Sequence, residues 1–260
     1  MNSLPTNSKE LAAECNMRAT HLQHKSRLHP SISVLEDRVI ARQFIPSGTL
    51  LMMCPPILTY RRPISEGTLP MLCSLIRMSD EEITYLYSSI SSLYPRTREE
   101  RQQCLRRVYL QDVPPETIDQ KEHIIIVCCA YNSFQEDGNR MVYLEASKLN
   151  HSCAPNCCYN IEEQSFIVAT SRDVQAGEEL TISYCIGPFE AYMSGRERRN
   201  ITARNVYFWC QCCLCRGRCN TCDRPDAAKM CQRCKVVLYC SLECQKRDWS
   251  DHKHICPRLK

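Results

Sequence analysis

Residues 210–256 read CQCCLCRGRCNTCDRPDAAKMCQRCKVVLYCSLECQKRDWSDHKHIC. From residue 219 onward the spacing is C-x2-C, C-x2-C, C-x3-C and H-x3-C. Thiolate and imidazole groups are the ligands that structural zinc prefers, and four of them complete one tetrahedral site. Each short pair supplies half a site, so two pairs from distant parts of the segment must converge on each ion. The segment therefore predicts two zinc sites, made from Cys219, Cys222, Cys231, Cys234, Cys240, Cys244, His252 and Cys256.

Zinc also explains how so short a segment can fold, because it cannot bury enough apolar surface by itself. A structural zinc ion contributes roughly 10 to 16 kcal/mol in small fingers. Disulfides are the alternative, but the chain has 21 cysteines, an odd number that excludes a fully paired framework. Residues 1–5 show no apolar signal core. We expect reduced cysteines and a location in the cytoplasm and nucleus.

The composition is that of a protein with a substantial core, since 43% of the 260 residues are hydrophobic. No apolar run approaches membrane length, and the longest, residues 124–130, predicts a buried element rather than a membrane partner. The last 43 residues carry ten Lys and Arg against five Asp and Glu, while the rest of the chain carries 23 against 24, so the net charge of +4 comes from the C-terminal segment. This excess indicates a solvated face or a weak nucleic-acid surface, formed by Lys229, Arg233, Lys235, Lys246, Arg247 and Lys253.

Capping signals divide the central part of the chain into helices. Ser79 with Glu82 and Thr97 with Glu100 both have capping-box spacing, followed by apolar residues at helical intervals. A third helix is predicted at residues 116–130, with an apolar side broad enough for full burial. Short β-type segments flank this helical part, at residues 31–34, 39–41, 50–53, 166–170 and 180–183.

Two strings carry the chemistry of the main domain: NHSCAPN at residues 150–156 and GEELTISY at residues 177–184. In this order, and followed by C-x-C-x2-C at residues 210–215, they resemble the signature segments of the SET domain. The resemblance implies an α+β fold in which small β-sheets surround a knot-like core. It also implies that Cys153 completes a third, post-SET zinc site with Cys210, Cys212 and Cys215.

The C-terminal segment is similar to a MYND zinc finger, including the Tyr239-Cys240 pair and the helix-like residues 243–249. That resemblance implies interleaved ligand pairs, the first with the third and the second with the fourth. Together, the two resemblances identify the chain with the SET- and MYND-domain (SMYD) lysine methyltransferases, supported by residues 132–134 and 197–199. The implied plan is a polar leader (1–30), a SET domain (31–190) with a helical insertion at about 67–130, a post-SET segment (191–217) and the finger (218–260).

The family resemblance implies a protein-lysine N-methyltransferase that uses S-adenosylmethionine and three zinc ions. Tyr184 corresponds to the catalytic tyrosine at the transfer site, and Phe134 and Tyr207 to the substrate channel. Methyl transfer from a sulfonium to a neutral amine depends mainly on positioning, and a narrow apolar channel favours loss of the lysine proton. The implied cofactor contacts are Arg38, Asn132, Asn150, His151, Tyr184 and Phe208, the last of which also lines the lysine channel.

Among the departures from the family pattern, two concern positions of the candidate site. In the cofactor loop, Glu36 and Arg38 stand where glycines are expected, and glycine serves there because the backbone approaches the ligand or takes positive φ. Arg38 could block the pocket or simply point outward. Val206 occupies the position of a channel aromatic, for which Tyr207 could substitute.

Other functions stay open at this point. The SET fold could be a scaffold without activity, in an adaptor whose MYND finger binds proline-rich peptides in transcriptional repression. Nucleic-acid binding through the basic finger is a weaker alternative, because few aromatic residues interleave with the charges. A cysteine nucleophile is conceivable at Cys185, beside Tyr184, although no histidine base is placed by the sequence.

Overall fold

The computed structural model describes residues 18–19, 25–61, 75, 78–109, 115–184, 193–205 and 208–256. Its contacts divide the chain into two units. The first comprises residues 1–149 and 159–179, and the second comprises residues 150–158 and 180–260. Small sheets and helices alternate along the chain, which confirms the predicted α+β class.

Capping boxes start two of the helices, as the sequence predicts. Helix α1 (Asp80–Ile90) begins after Ser79, whose Oγ accepts from the Glu82 amide at 3.2 Å while Glu82 accepts from the Ser79 amide at 2.8 Å. Helix α2 (Arg98–Tyr109) begins after Thr97, which makes the same reciprocal bonds with Glu100 at 3.2 and 3.0 Å. Each box satisfies backbone donors that the first helical turn leaves without partners.

Helix α3 (Lys121–Asn132) begins later than predicted. Residues Pro115–Thr117 form a separate 3-10 turn, and the Gln120 amide donates to the Thr117 carbonyl at 3.1 Å. Gln120 itself is extended, so the helix cannot extend back to residue 116. The predicted broad burial is confirmed, because one continuous run of α3 is buried: Ile124, Ile125, Ile126, Val127, Cys128 and Cys129.

Among the described residues, ten short strands form two four-stranded sheets and one hairpin. They are β1 (Arg18–Ala19), β2 (Arg27–Leu28), β3 (Ile32–Val34), β4 (Val39–Ala41), β5 (Leu50–Cys54), β6 (Leu58–Arg61), β7 (Ser133–Glu136), β8 (Asn139–Val142), β10 (Cys157–Glu162) and β11 (Ser165–Thr170). One sheet has the order β1-β6-β8-β7 and another the order β10-β11-β5-β2, while β3 and β4 form a hairpin. The strand segments predicted before residue 60 and at 166–170 are confirmed.

Within the polar leader, only residues 18–19 and 25–30 are described, and they contain short strands rather than the predicted weakly ordered segment or single helix. The rest of the leader lies outside the described residues. Arg18 and Ala19 pair with Thr59 and Leu58 of β6, and β2 pairs with β5. Two-residue strands are too short to show the alternation of apolar and polar residues by which strands are recognised.

A hydrophobic core made of helix and strand side chains stabilises the first unit. Buried side chains of α1 and α3 pack on those of β6 and β8, including Leu58, Leu86, Ile90, Ile125 and Val142. Removing these apolar surfaces from water is the main favourable contribution to folding. In the described part of the chain, no helix is both long and apolar enough to cross a membrane.

The second unit contains the first signature string, residues 180–184 of the second string and the cysteine-rich segment. Strands β9 (Asn150–His151) and β12 (Thr181–Ile182) form a two-stranded parallel sheet. Helix α4 (Gly195–Asn205) follows, then the hairpin of β13 (Lys229–Met230) and β14 (Leu238–Tyr239). Helix α5 (Leu242–Ile255) begins after Ser241, whose Oγ accepts from the Cys244 amide at 3.1 Å.

Candidate functional site

Residues 150–156 of the first signature string and 180–184 of the second lie side by side in the second unit. Ile182 is opposite His151 in the β9–β12 pair, and the Ser152 amide donates to the Ile182 carbonyl at 3.0 Å. Asn156 extends this contact, because its Oδ1 accepts from the Thr181 amide at 2.8 Å. Residues about 30 positions apart in sequence are thereby fixed against each other.

Three aromatic rings gather at the end of these strands. The Nδ1 atom of His151 accepts a hydrogen bond from the Tyr184 amide at 2.9 Å, and the two ring centroids are 5.3 Å apart. The Phe208 ring lies 5.6 Å from His151 and 6.2 Å from Tyr184, edge-on to both. The structure thus brings together three residues of the predicted site. The neighbouring Asn150 is exposed.

The first cysteine group adjoins His151. The Cys153 Sγ lies 3.8 Å from that of Cys210 and 3.6 Å from that of Cys215, and 3.3 Å from the Nε2 of His151. Its four ligand atoms all lie within 4.8 Å of one another. We call it the Cys153 group: Cys153, Cys210, Cys212 and Cys215.

Proximity lets the thiols of this group stabilise one another's charge. The hydrogen bond from Cys153 lowers the pKa of Cys210 and lowers that of Cys212 to about 5, whereas the pKa of Cys153 is raised. Thiolates are the metal-binding form of cysteine. The group is therefore electronically suited to a cation.

Two further groups lie in the finger, and they confirm the interleaved pairing implied by the resemblance. The Cys219 group joins the first pair with the third: Cys219, Cys222, Cys240 and Cys244. The Cys231 group joins the second with the fourth: Cys231, Cys234, His252 and Cys256. The β13–β14 hairpin brings Cys231 and Cys240 to opposite ends of one short ladder, and α5 presents the last ligands of both groups.

The distances within these groups fit zinc. Zn–S bonds of about 2.3 Å in a tetrahedron place the sulfur atoms about 3.8 Å apart. The Sγ of Cys222 lies 3.6 Å from that of Cys240 and 3.9 Å from that of Cys244, and Cys231 and Cys256 are 3.9 Å apart.

The single histidine donor also suits a metal. Burial lowers the pKa of His252, which favours the neutral imidazole, and its Nε2 lies 3.3 Å from the Cys231 Sγ. A metal ligand must present an unprotonated nitrogen.

The remaining cysteines divide by location. Cys158 and Cys213 are exposed and join none of the three groups, although Cys213 directly follows Cys212 and Cys158 is five positions after Cys153. Cys15, Cys73 and Cys185 lie outside the described residues. The others are buried, as expected of small core residues: Cys54, Cys104, Cys128, Cys129 and Cys157.

A buried carboxylate joins helix α4 to the finger, and sequence reasoning did not anticipate it. Asp248 is only 1% exposed and accepts from the Tyr239 hydroxyl at 2.8 Å, from Asn220 Nδ2 at 2.9 Å and from Arg196 Nη2 at 2.9 Å. Arg196 also pairs with Asp251 at 2.8 Å. A buried charge is tolerated only when it is paired and hydrogen-bonded.

Arg199 makes the second junction between α4 and the finger. Its guanidinium is fully buried and donates to the carbonyl of the metal-group residue Cys219 at 3.2 Å and to Asn220 Oδ1 at 3.3 Å. The Nη1 lies 3.0 Å from Asp223 Oδ1, an ion pair without hydrogen-bond alignment. Gly195 permits this approach, since a Cβ there would lie 2.5 Å from Asp223 Oδ1. In the sequence, Arg196 and Arg199 are only two charged residues three positions apart, a spacing that does not predict these contacts.

The glycine-poor loop belongs to the first unit. The Leu35 amide donates to the Arg38 carbonyl at 2.8 Å, and Arg96 Nη2 donates to the Glu36 carbonyl at 3.1 Å. Arg38 is exposed and forms two hydrogen bonds to Asp37, at 3.0 and 2.7 Å, which lower the pKa of Asp37. None of these four loop residues has positive φ. The loop conformation therefore does not require glycine, and the Arg38 side chain lies at the surface.

Asn132, a predicted cofactor contact, lies at the C-terminal end of α3. Its Nδ2 donates to the carbonyls of Tyr94 at 2.6 Å and Cys128 at 2.8 Å, and its own carbonyl accepts from Ser147 at 3.2 Å. The side-chain amide thus connects the end of α3 to the loop that follows α1.

Phe134, a predicted channel residue, packs in an aromatic cluster of the first unit. Its ring centroid lies 4.5 Å from Phe166, 5.7 Å from Tyr159 and 5.9 Å from Tyr143. The ring is half-buried rather than enclosed. Tyr207, the other predicted channel residue, and Val206 lie outside the described residues.

Comparison with known families agrees with this architecture. The SET domain profile matches residues 38–185, more than half of the chain, and the MYND finger profile matches residues 210–256. The chain belongs to the SET-domain family. With its MYND finger it belongs among the SET- and MYND-domain proteins of that family.

Individual relatives cover only part of the chain. Histone-lysine N-methyltransferase SMYD3 of Mus musculus is 31% identical over 156 residues, covering 53% of this chain and 35% of its own length. Dauer abnormal formation protein 25 of Caenorhabditis elegans is 52% identical over 42 residues, or 16% of this chain and 11% of its own. The chain thus spans about a third of the length of SMYD3 and about a tenth of the length of the Caenorhabditis elegans protein.

Among solved structures, the "SET domain of LSMT bound to Lysine and AdoHcy" aligns with 60% of this chain and 48% of that chain. The TM-score is 0.31 and the identity 14%, so this alignment carries no argument.

Proposed function

We propose that this protein is an S-adenosylmethionine-dependent protein-lysine N-methyltransferase whose zinc finger recruits partners. The arrangement of His151, Tyr184 and Phe208 supports the proposal most directly. It joins residues of the two signature strings of the family. It also places a tyrosine, whose main-chain amide donates to His151, beside two other aromatic rings. Its substrates are lysine side chains of histones or other proteins.

S-adenosylmethionine, when bound, supplies an electrophilic methyl group. We assign its binding to the main chain at Arg38 and to the side chains of Asn132, Asn150, His151, Tyr184 and Phe208, whose donor and aromatic character suits an adenine ring and an amino-acid moiety. Tyr184 then orients the substrate amine through its hydroxyl oxygen. The partial negative charge of that oxygen favours the transferring methyl carbon.

The proposed channel residues act on the lysine before transfer. The rings of Phe134 and Phe208, with Tyr207, would exclude water from the ammonium group and so lower its pKa. A neutral amine, held in line with the methyl group, needs no metal or covalent intermediate for this reaction, because positioning supplies most of the rate enhancement.

The zinc ions have a structural role in this proposal. One ion in each of the Cys153, Cys219 and Cys231 groups would have four protein ligands and no open coordination position. Closed sites of this kind contribute folding energy rather than catalysis.

Transfer of a labelled methyl group to protein lysines tests the proposal. The zinc-loaded chain is incubated with labelled S-adenosylmethionine and a histone mixture, beside the Tyr184→Phe variant. We expect labelling by the wild type and loss of about 100-fold or more in the variant, the order of effect of a group acting at the transition state. Equal labelling by both proteins would show that the Tyr184 hydroxyl has no catalytic role.

A second candidate, an adaptor without methyltransferase activity, is favoured by the exposed apolar residues of the finger. Met230, Leu242 and Trp249 are 44%, 56% and 41% exposed. Such residues suit a proline-rich peptide partner in a repressor complex. Peptide binding that Trp249→Ala abolishes, in a protein that binds no S-adenosylmethionine, would favour this candidate. Nucleic-acid binding is a weaker option for the basic side of the finger.

We further propose that the protein works in the cytoplasm and the nucleus, where cysteines stay reduced for metal binding. Imaging of a fluorescent fusion tests this location, and accumulation in the secretory pathway would contradict it.

A further inference from the structure

His151 contacts both the residue proposed for catalysis and a cysteine group. Its Nδ1 lies 2.9 Å from the Tyr184 amide nitrogen, and its Nε2 lies 3.3 Å from the Cys153 Sγ. An amide N–H can only donate, so Nδ1 is the acceptor of the first bond. A neutral imidazole carries one proton, which must then be on Nε2. The proton therefore points toward the sulfur.

We infer that His151 is a positioning residue that couples Tyr184 to the metal in the Cys153 group; the catalytic meaning of this coupling rests on the proposed function. With the group loaded, four thiolates and one divalent zinc leave a net negative charge. An N–H donor to one thiolate stabilises that charge and fixes the imidazole ring. The fixed ring in turn holds the main chain of Tyr184.

The neighbouring contacts show why this connection is specific. The Ser152 amide donates to the Ile182 carbonyl and the Thr181 amide to Asn156, so these contacts hold the strand up to residue 182 without the His151 side chain. The His151 bond acts two residues further along, at Tyr184. Amide exchange at Thr181, which donates to Asn156, therefore serves as an internal control for exchange at Tyr184.

Two variants separate the two halves of the connection. In His151→Asn, the shorter side chain can place an oxygen near the position of Nδ1 but cannot reach Cys153. In His151→Gln, the longer side chain can place an N–H near the position of Nε2 but offers no acceptor at Nδ1. We measure amide exchange at Tyr184 and the rate of zinc loss from the Cys153 group to a chelator.

We expect opposite results from the pair. His151→Asn keeps the Tyr184 amide protected and loses zinc from the Cys153 group about 10- to 100-fold faster, the usual effect of removing a partner of a metal ligand. His151→Gln retains zinc, and its Tyr184 amide exchanges roughly five- to tenfold faster, as expected from one lost hydrogen bond. If both variants changed both quantities equally, or neither quantity at all, the inference would be wrong.

Removing a ligand tests the coupling without altering His151. Cys210→Ser should leave two zinc ions per chain and speed exchange of the Tyr184 amide, while the matched variant of the exposed Cys213, Cys213→Ser, should do neither. Unchanged Tyr184 exchange in a Cys210→Ser protein that has lost one ion would contradict the inference. Neither measurement uses S-adenosylmethionine or lysine, so failure of the proposed methyl transfer would be seen separately.

Discussion

Arg196 of helix α4 donates to Asp248 of helix α5 at 2.9 Å, although the two residues are 52 positions apart. Asp248 is buried and also accepts from Tyr239 and Asn220. The finger is therefore anchored to α4 by side chains. Its main chain is also connected to the Cys153 group by only three residues, those between Cys215 and Cys219. This arrangement makes the finger part of the second unit, not a freely tethered module.

Neutralising Asp248 should destabilise the second unit. Asp248→Asn weakens the acceptor for three buried or half-buried donors, and we expect a loss of roughly 3 kcal/mol in the free energy of unfolding. Asp251→Asn is the matched control, because Asp251 contacts the same Arg196 but is 47% exposed. Its cost should stay below about 0.5 kcal/mol. Denaturant unfolding of the zinc-loaded variants measures both, and similar losses would contradict the assignment.

A flexible spacer should not release the finger by itself. About twenty Gly and Ser residues inserted after Gly217 would turn the three-residue connection between Cys215 and Cys219 into a long flexible tether. Arg196 contacts the buried Asp248, and the buried Arg199 donates to the Cys219 carbonyl. Because of these contacts, we expect the α4 amides to stay protected in the spacer variant. Adding Arg199→Ala to the spacer should make these amides exchange faster. Rapid exchange in the spacer variant alone would show that the contacts do not hold the finger.

Metal analysis should find three zinc ions per chain, one for each group. Cys212→Ser removes a ligand of the Cys153 group and should lower the content to two. Cys213→Ser changes the adjacent exposed cysteine, which belongs to no group, and should leave three. A wild-type protein with two ions would contradict a zinc site in the Cys153 group.

Restoring glycine to the cofactor loop should change cofactor affinity little. Arg38 is exposed, pairs with Asp37 and has no positive φ, so Arg38→Gly removes no buried contact and relieves no strain. We expect the dissociation constant for S-adenosylmethionine to change less than about threefold, under 1 kcal/mol. Calorimetry on both proteins measures it. Much tighter binding by the glycine variant would show that Arg38 obstructs the pocket.

Local signals in the sequence predicted much of this structure. The capping boxes at Ser79 and Thr97 place two helices, and ligand spacing with the family resemblance gives the three cysteine groups. These features succeed because each depends on residues a few positions apart or on a recurring pattern. The start of α3 was misplaced because the turn at Pro115–Thr117 uses backbone hydrogen bonds that composition does not reveal.

Long-range polar contacts escaped prediction. Nothing in the local sequence distinguishes the buried Arg199 and Asp248 from the exposed charges beside them. Their burial depends on partners that only the folded chain brings close. The bond between Tyr184 and His151 is a similar case, since both residues were predicted site residues but their contact was not.

Titration of the zinc-loaded chain with S-adenosylmethionine in a calorimeter tests the central claim most directly. Zinc content is checked in the same sample, so that a loss of structure cannot imitate a loss of binding. We expect saturable binding of one molecule per chain, retained by Tyr184→Phe. A protein that holds three zinc ions and shows no binding would contradict the methyltransferase assignment and favour the adaptor.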